Sequence, residues 1–197
     1  MTDERDAEAA RGEPLRIAII GLTGSGKSTM AKALGAALGL PVIELDAINW
    51  QPGWRDLKND DPAQFARRVE AVIQKPRWVT DGNYSVVLPR ILARATTVVW
   101  LDYGRPLIMG RVIRRSLVRS ITKKEVWPGT GNRELWRSWL SAEHPVIWAW
   151  RTYRKRRARY EAAFASPALA HLTVHRLRHP REAGRLVERL KAEFAAS

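Results

Sequence analysis

Residues 21–29, GLTGSGKST, form the stretch of sequence that decides the fold of this chain. They match the pattern G-x-x-x-x-G-K-[ST] of a phosphate-binding loop, the P-loop. The glycines let several backbone N–H groups converge on one anion, and the helix that follows directs its unpaired amides and positive dipole end to the same point. We therefore predict that a nucleoside triphosphate contacts every residue of the loop: Gly21, Leu22, Thr23, Gly24, Ser25, Gly26, Lys27, Ser28 and Thr29.

Two side chains of this loop have specific predicted roles. The Lys27 ammonium group supplies a charge for the β- and γ-phosphates, which makes it a predicted catalytic residue, and the Ser28 hydroxyl is a predicted ligand of Mg²⁺. The motif has the expected context, because residues 15–20 (LRIAII) are an apolar run typical of a buried strand. Residues 28–38 then have the composition of a helix with a broad apolar face, which Gly39 ends.

The rest of the chain alternates short apolar runs with helical patterns. Further strands are predicted at residues 40–45, 77–80, 96–101 and 171–177, and helices at residues 62–75, 84–94, 104–121 and 181–195. Such alternation favours a parallel sheet covered on both faces. The sequence therefore predicts an α/β, three-layer P-loop NTPase fold, with a five-stranded parallel sheet flanked by helices and with a lid insert.

Three segments stand outside this alternation. The polar, acidic residues 1–13 are predicted to be a disordered tail, and residues 14–197 to be a single P-loop kinase-like domain. Residues 46–75 begin with turn residues and tryptophans and are predicted to form an acceptor-side flap. Residues 122–144 contain the turn sequence WPGTGN and are predicted to be the lid. Both segments are expected to lie beyond the carboxyl ends of the strands, where ligands bind in doubly wound sheets.

Composition narrows the class of protein. The 197-residue chain has 45% hydrophobic residues, enough for a core, and no cysteine, which excludes disulfides and thiolate metal sites. No apolar run approaches the roughly 20 residues of a membrane span, and the acidic start is unlike a signal peptide. We therefore predict a cytoplasmic protein that does not use a membrane.

The charge of the chain is unevenly placed. The formal net charge is +14, and residues 103–159 contain fifteen Lys or Arg against three acidic residues. A basic segment of this kind predicts a surface that handles anions. The anion is either a nucleotide or a nucleic acid, and the charge alone does not distinguish them.

Three aspartates follow predicted strands and can point into one crevice: Asp46, Asp81 and Asp102. Asp81 is the predicted Mg²⁺ ligand, since WVTD is a strand with a terminal carboxylate and phosphoryl transfer needs one in the magnesium shell. Asp46 is the predicted acceptor-side catalytic residue, which either accepts the proton of a substrate hydroxyl or only hydrogen-bonds the substrate. A strand-end aspartate also commonly caps the next helix, and for Asp102 we favour that role. Asn83 is either a turn residue or a substrate contact.

Two clusters of arginine lie in the basic segment. Arg111, Arg115 and Arg119 recur every four residues on one helix face, and Arg111 and Arg115 are predicted to be catalytic, because guanidinium groups bind phosphate oxygens and stabilise the charge of a transferring group. A solvated face is the alternative. Residues 151–159 form a denser cluster, which we interpret mainly as a solvated face, with binding of an acidic partner as the alternative.

Several motifs in order resemble those of small bacterial P-loop proteins described as adenylate-kinase-like or as DNA topology modulation proteins. These motifs, which span most of residues 15–195, are GLTGSGKST, ELDAINWQPGW, TDGNYS, TTVVWLDYGRP, GTGNRELW and HRLRHPREA. The resemblance implies a nucleoside-monophosphate-kinase-type fold and places residues 122–144 at the lid position. It also implies that Arg178, in the sequence RHP, lies near the loop that touches the adenine of the nucleotide.

The resemblance also implies roles for residues that match the family pattern. Asp81 corresponds to the aspartate that helps hold the magnesium shell in adenylate kinases, and Arg111, Arg114 and Arg115 stand where such kinases have arginines running into the lid. The chain departs from adenylate kinases after Gly82, where it has NYS in place of Phe-Pro-Arg. An acidic residue at position 46 is similar to that of small-molecule kinases that phosphorylate a hydroxyl.

Two classes of function fit these observations. The first is an ATP- and Mg²⁺-dependent phosphotransferase that acts on a small nucleotide or hydroxyl-bearing acceptor. The second is a nucleotide-regulated nucleic-acid-binding protein that uses residues 103–159, or its hybrid with the first, a polynucleotide 5′-hydroxyl kinase. ATP is the expected nucleotide, because the chain has no guanine-specific N-K-x-D motif.

Overall fold

The computed structural model describes residues 14–122 and 145–195. Five of its strands match the predicted strand positions. Two further short strands form a hairpin within the predicted flap. In chain order the strands are β1 (Leu15–Gly21), β2 (Val42–Glu44), β3 (Trp50–Gln51), β4 (Arg55–Asp56), β5 (Arg77–Asp81), β6 (Thr97–Leu101) and β7 (Thr173–Leu177). The predicted tail, and the predicted lid apart from Thr122, lie outside the described residues.

The helices alternate with these strands. In chain order they are α1 (Lys27–Leu38), α2 (Leu45–Asn49), α3 (Leu57–Asp60), α4 (Pro62–Ile73), α5 (Leu88–Arg94), α6 (Arg105–Thr122), α7 (Pro145–Phe164) and α8 (Pro180–Ala195). None of the helices in residues 14–122 and 145–195 is long and apolar enough to cross a membrane.

The main sheet has the strand order β2-β5-β1-β6-β7, and every neighbouring pair is parallel. β1 is therefore the central strand, and the loop that follows it opens at the middle of the carboxyl edge. The register places Asp81 beside Ile19 of β1 and beside Glu44 of β2. A carboxylate at the end of β5 is thus brought to the P-loop by strand pairing alone.

Helices cover both faces of this sheet. Alternate residues of β1 point to opposite sides, so that Ile17 and Ile19 belong to one buried cluster and Ala18 and Ile20 to the other. The first cluster is completed by apolar residues of α1, α6, α7 and α8, and the second by those of α4, α5 and the end of α7. The predicted three-layer α/β fold with a five-stranded parallel sheet is confirmed.

Local boundaries differ from the prediction in ways that affect the site. β2 ends at Glu44, and Leu45 begins a short helix, so Asp46 lies in the first turn of α2 rather than directly after a strand. The predicted helix at 84–94 begins at Leu88, because Tyr84 accepts the backbone hydrogen bonds of a preceding turn. Gly39 ends α1 in the left-handed conformation, as predicted.

Candidate functional site

The P-loop presents an uncapped helix N-terminus. Gly26 is the N-cap residue of α1 with φ of 93°, a conformation that favours glycine, and no side chain caps the first turn. The amides of that turn, which a capping oxygen would otherwise occupy, remain for an anion. Gly24 also has a positive φ, 78°, and a Cβ added there would collide with Val112 of α6. The loop therefore packs directly on α6.

The Ser25 side chain is a second sign that the loop is built for a polar ligand. It is almost fully buried, and its hydroxyl has no hydrogen-bond partner within the described part of the chain. A buried hydroxyl without a partner is costly unless a ligand or water satisfies it. Together with the uncapped amides, this hydroxyl fits the phosphate chain of a nucleotide.

Lys27 lies at the point where the charges of the site converge. It is half-buried, and its Nζ donates to the carbonyl oxygen of Leu22 at 3.2 Å, which folds the side chain back along the loop. Burial lowers the pKa of Lys27, and the nearby carboxylates of Asp81 and Asp46 act against that shift. The carboxylates of Asp81 and Asp46 are therefore both close enough to act on the charge of the P-loop lysine.

Asp81 and Ser28, the two predicted magnesium ligands, are brought together. The Asp81 carboxylate is buried at the end of β5, and the Ser28 side chain lies close enough to act on its pKa. Burial raises the pKa of Asp81, while the charge of Lys27 and the interaction with Ser28 lower it. No group of three His, Cys, Asp or Glu side chains in residues 14–122 and 145–195 is placed to hold a metal by itself. The donor set fits Mg²⁺ held jointly by a protein carboxylate, a hydroxyl and phosphate oxygens.

Two of the predicted arginines contact the P-loop from α6. Arg111 donates from Nη1 to the carbonyl oxygen of Ser25 at 3.2 Å, and Arg115 donates from Nη2 to the Thr23 hydroxyl at 3.0 Å. The four-residue spacing puts both guanidinium groups over the loop, as the helical period predicts. Arg114, which the same helix carries between them, is exposed. Arg111 and Arg115 are therefore both anchored on the P-loop itself.

Asp46 lies on the flap side of the site with its side chain exposed to the crevice. Its Oδ1 accepts a hydrogen bond of 2.6 Å from the Tyr84 hydroxyl, which comes from the loop after β5. The Trp50 side chain, from the first hairpin strand, lies near the same hydroxyl and acts on its pKa. The sequence indicated Asp46 but not these partners, because 38 positions separate Tyr84 from Asp46.

Asn83 ties the same loop to two other parts of the site. Its Nδ2 donates to the carbonyl oxygen of Gly21 at 2.8 Å and to the hydroxyl of Tyr160 on α7 at 2.5 Å. The sequence left two roles open for Asn83, a turn residue or a substrate contact. Neither of them included contacts with Gly21 and Tyr160. The side-chain amide joins the first residue of the P-loop to the helix that follows the undescribed segment.

Arg156 is a candidate site residue that the sequence did not single out. It lies on α7, half-buried, and its charge acts on Lys27 together with that of Arg115. Its guanidinium stacks over Trp148 with 4.4 Å between the guanidinium carbon and the ring centroid. In the sequence it is one of several basic residues in a row, and only its place on the inward face of α7 distinguishes it.

The remaining two predicted positions lie away from Lys27. The Asp102 carboxylate is buried and is held by Arg176, at 2.8 Å from Nε and 2.6 Å from Nη2, and by Arg157 at 3.3 Å. These ion pairs place Asp102 in the packing between β7 and α7. Arg178 is exposed, and its backbone N–H donates to Glu182 at the start of α8 at 2.9 Å.

A cavity of about 400 Å³ opens beside the P-loop. Its wall is formed by Gly24–Gly26 of the loop, by α1, by Tyr103 and Arg111, and by the first turns of α8 from Pro180 to Val187. This volume lies in the usual range for small-ligand sites. The loop that contains Arg178 leads into this wall through Pro180, two residues later.

Among the solved structures that share this fold is shikimate kinase from Acinetobacter baumannii in complex with shikimate, which is 18% identical and has a TM-score of 0.55 over 96% of this chain and 97% of that one. A candidate kinase from Chloroflexus aurantiacus is 14% identical, with a TM-score of 0.52 over 92% of this chain and 98% of that one. No protein-family model matches the chain, and no curated protein matches it in sequence. At these identities the likeness shows the fold, and the chain has the architecture of P-loop kinases.

Proposed function

We propose that this protein is an ATP- and Mg²⁺-dependent kinase that transfers the γ-phosphoryl group of ATP to a hydroxyl of a small acceptor. The observation that carries the proposal is the convergence on Lys27 of two carboxylates with different partners. Asp81 lies beside Ser28 of the P-loop, as a magnesium ligand would, whereas Asp46 is exposed on the flap side and is bonded to Tyr84. Phosphoryl transfer needs these two carboxylate roles.

In this mechanism the acceptor hydroxyl oxygen attacks the γ-phosphorus, and the bond from that phosphorus to the β,γ-bridging oxygen breaks. ADP leaves with the bonding electrons, and Asp46 accepts the proton of the hydroxyl. Lys27 binds the β- and γ-phosphates. Arg111 and Arg115 exchange their present hydrogen bonds with Ser25 and Thr23 for phosphate oxygens and stabilise the charge on the transferring group.

Ser28 and Asp81 would hold Mg²⁺, which would neutralise negative charge on the phosphate groups. The nucleoside of ATP would occupy the cavity between the P-loop and α8. Its volume of about 400 Å³ and its position beside Gly24–Gly26 support this assignment. Arg178 would contribute at the rim of this cavity, next to Pro180, and Thr29 of the P-loop lines the same wall.

The test is an acceptor screen with γ-labelled ATP and Mg²⁺. The panel contains nucleoside monophosphates, nucleosides, small polyols and a 5′-hydroxyl oligonucleotide, and the wild type is compared with Lys27→Ala and Asp46→Ala. We expect label on one class of acceptor, lost in both variants. Label that appears only as free phosphate, at a rate indifferent to Asp46, would show a P-loop ATPase instead of a kinase.

Arg156→Ala is expected to weaken ATP binding about tenfold, because one charge-assisted contact to a phosphate is removed. The measurement is calorimetric titration with ATP and Mg²⁺. Arg159→Ala is the matched control, because Arg159 is exposed on the same helix. The affinity of this variant for ATP should change less than twofold. Equal effects of the two substitutions would mean that α7 contributes only a general positive field.

A nucleic-acid function is the second candidate, and the exposed basic side chains of α7 favour it: Arg151, Arg154, Lys155 and Arg159. Binding through phosphate neutralisation weakens steeply with salt. A fluorescent oligonucleotide titrated at increasing salt should therefore show a strong negative slope, reduced by charge removal at these positions. Flat salt dependence would exclude this candidate. Phosphorylation of the 5′-hydroxyl oligonucleotide in the screen would unite the two functions and accord with the DNA-related description of the resembling proteins.

A further inference from the structure

We propose that Tyr84 is a positioning residue for Asp46, which holds one carboxylate oxygen so that the other is left for the acceptor hydroxyl. This inference rests on the proposed kinase function. It begins from the hydrogen bond of 2.6 Å between the Tyr84 hydroxyl and Oδ1 of Asp46. A short hydrogen bond to a charged acceptor is strong and directional.

The Tyr84 ring is itself held in place. It packs edge-on against Phe65 of α4, with ring centroids 5.2 Å apart and an interplanar angle of 70°, and Phe65 is fully buried. The Trp50 side chain also lies near the Tyr84 hydroxyl and acts on its pKa. The hydroxyl donates to Asp46, so its proton has one defined direction.

The hydroxyl keeps that proton at neutral pH. Burial raises the pKa of Tyr84, and the charge of Asp46 together with the hydrogen bond raises it further. Lys58 lies 5.9 Å above the ring but is paired with Asp56 at 3.2 Å. Tyr84 is consequently a hydrogen-bond donor to Asp46, and the proton of the acceptor goes to Asp46.

Asp46 needs such a partner because its own element is weak. α2 has five residues, and the Asp46 side chain is exposed on it, so the helix itself packs little against the carboxylate. The hydrogen bond from Tyr84 selects one orientation of the Asp46 carboxylate. It also joins two parts of the acceptor side, namely α2 and the loop after β5.

The test is a double-mutant cycle of Tyr84→Phe and Asp46→Asn, with the compound of the acceptor panel that the wild type labels fastest. Tyr84→Phe keeps the ring against Phe65 and removes only the hydroxyl. We expect kcat to fall about tenfold, the rate equivalent of one hydrogen bond to a charged group, with KM for ATP changed less than twofold. The double variant should be no slower than Asp46→Asn alone, because Tyr84 acts through that carboxylate.

Multiplicative losses in the cycle would overturn the positioning role, since a residue that merely stabilises the loop acts independently of Asp46. Tyr153→Phe is the matched control. It removes a buried hydroxyl that donates to the Tyr103 carbonyl at 3.1 Å, and it should leave the kcat of the wild type and of Asp46→Asn unchanged. Proton NMR gives a readout that needs no acceptor. The Tyr84 hydroxyl proton should appear as a slowly exchanging downfield signal, absent in Tyr84→Phe and shifted in Asp46→Asn. If that signal is present but no acceptor is labelled, the kinase proposal and the positioning role of Tyr84 both fail. The hydrogen bond itself is then still confirmed.

Discussion

Replacing Lys27 with alanine is expected to reduce phosphoryl transfer by about a thousandfold, the upper range for loss of one donor that stabilises transition-state charge. Lys27 is the group on which Asp81, Asp46 and the α6 and α7 arginines act, and its side chain is already folded onto the loop by the Leu22 carbonyl. The measurement is the initial rate of label transfer to the best acceptor of the screen.

Lys32→Ala is the matched control for this substitution. Lys32 lies on the same helix, is mostly exposed, and pairs with Glu44 at 3.1 Å. Exposed pairs contribute little, so the rate should stay within twofold of the wild type. A loss at Lys27 no larger than that at Lys32 would remove the P-loop lysine from the mechanism.

Asp102→Ala is expected to lower the free energy of unfolding by about 3 kcal/mol, because it removes the buried carboxylate shared by Arg176 and Arg157 and leaves them only the more exposed Glu161. The side chain of Asp102 is 2% exposed, whereas those of the two arginines are 25% and 37% exposed. Partial hydration of the arginines keeps the loss at the lower end of the usual range for a broken buried pair. Urea denaturation followed by circular dichroism measures it.

Asp60→Ala is the control for stability, since its ion pair with Arg55 at 3.3 Å is exposed on both sides. Its effect should stay below about 0.5 kcal/mol. The fraction of Asp102→Ala that remains folded should keep its affinity for ATP, because Asp102 has no contact with Lys27 or the P-loop among the described interactions. A variant of normal stability that cannot bind ATP would move Asp102 into the nucleotide site.

The assignment of roles to the three aspartates shows how far sequence patterns reach. Each of them follows an apolar run, and the pattern is the same for all three. Strand order separates them: β5 lies next to β1 and brings Asp81 to Ser28, while β6 is followed by a carboxylate that β7 and α7 surround with arginines. Asp46 differs again, because the chain turns into α2 at Leu45.

The sequence by itself determined the P-loop, the alternation of strands and helices, and the pairing of Arg111 with Arg115 on one helix face. These features depend on neighbours within a few residues, through backbone conformation, hydrophobic period and helical spacing. Tertiary structure alone decided the partners of Asp46, the inward place of Arg156 and the Asn83 link. Those contacts join elements that are distant in the chain, 38 residues for Tyr84 with Asp46 and 62 for Asn83 with Gly21. Sheet order and helix packing set which of them meet, and no local pattern records that choice.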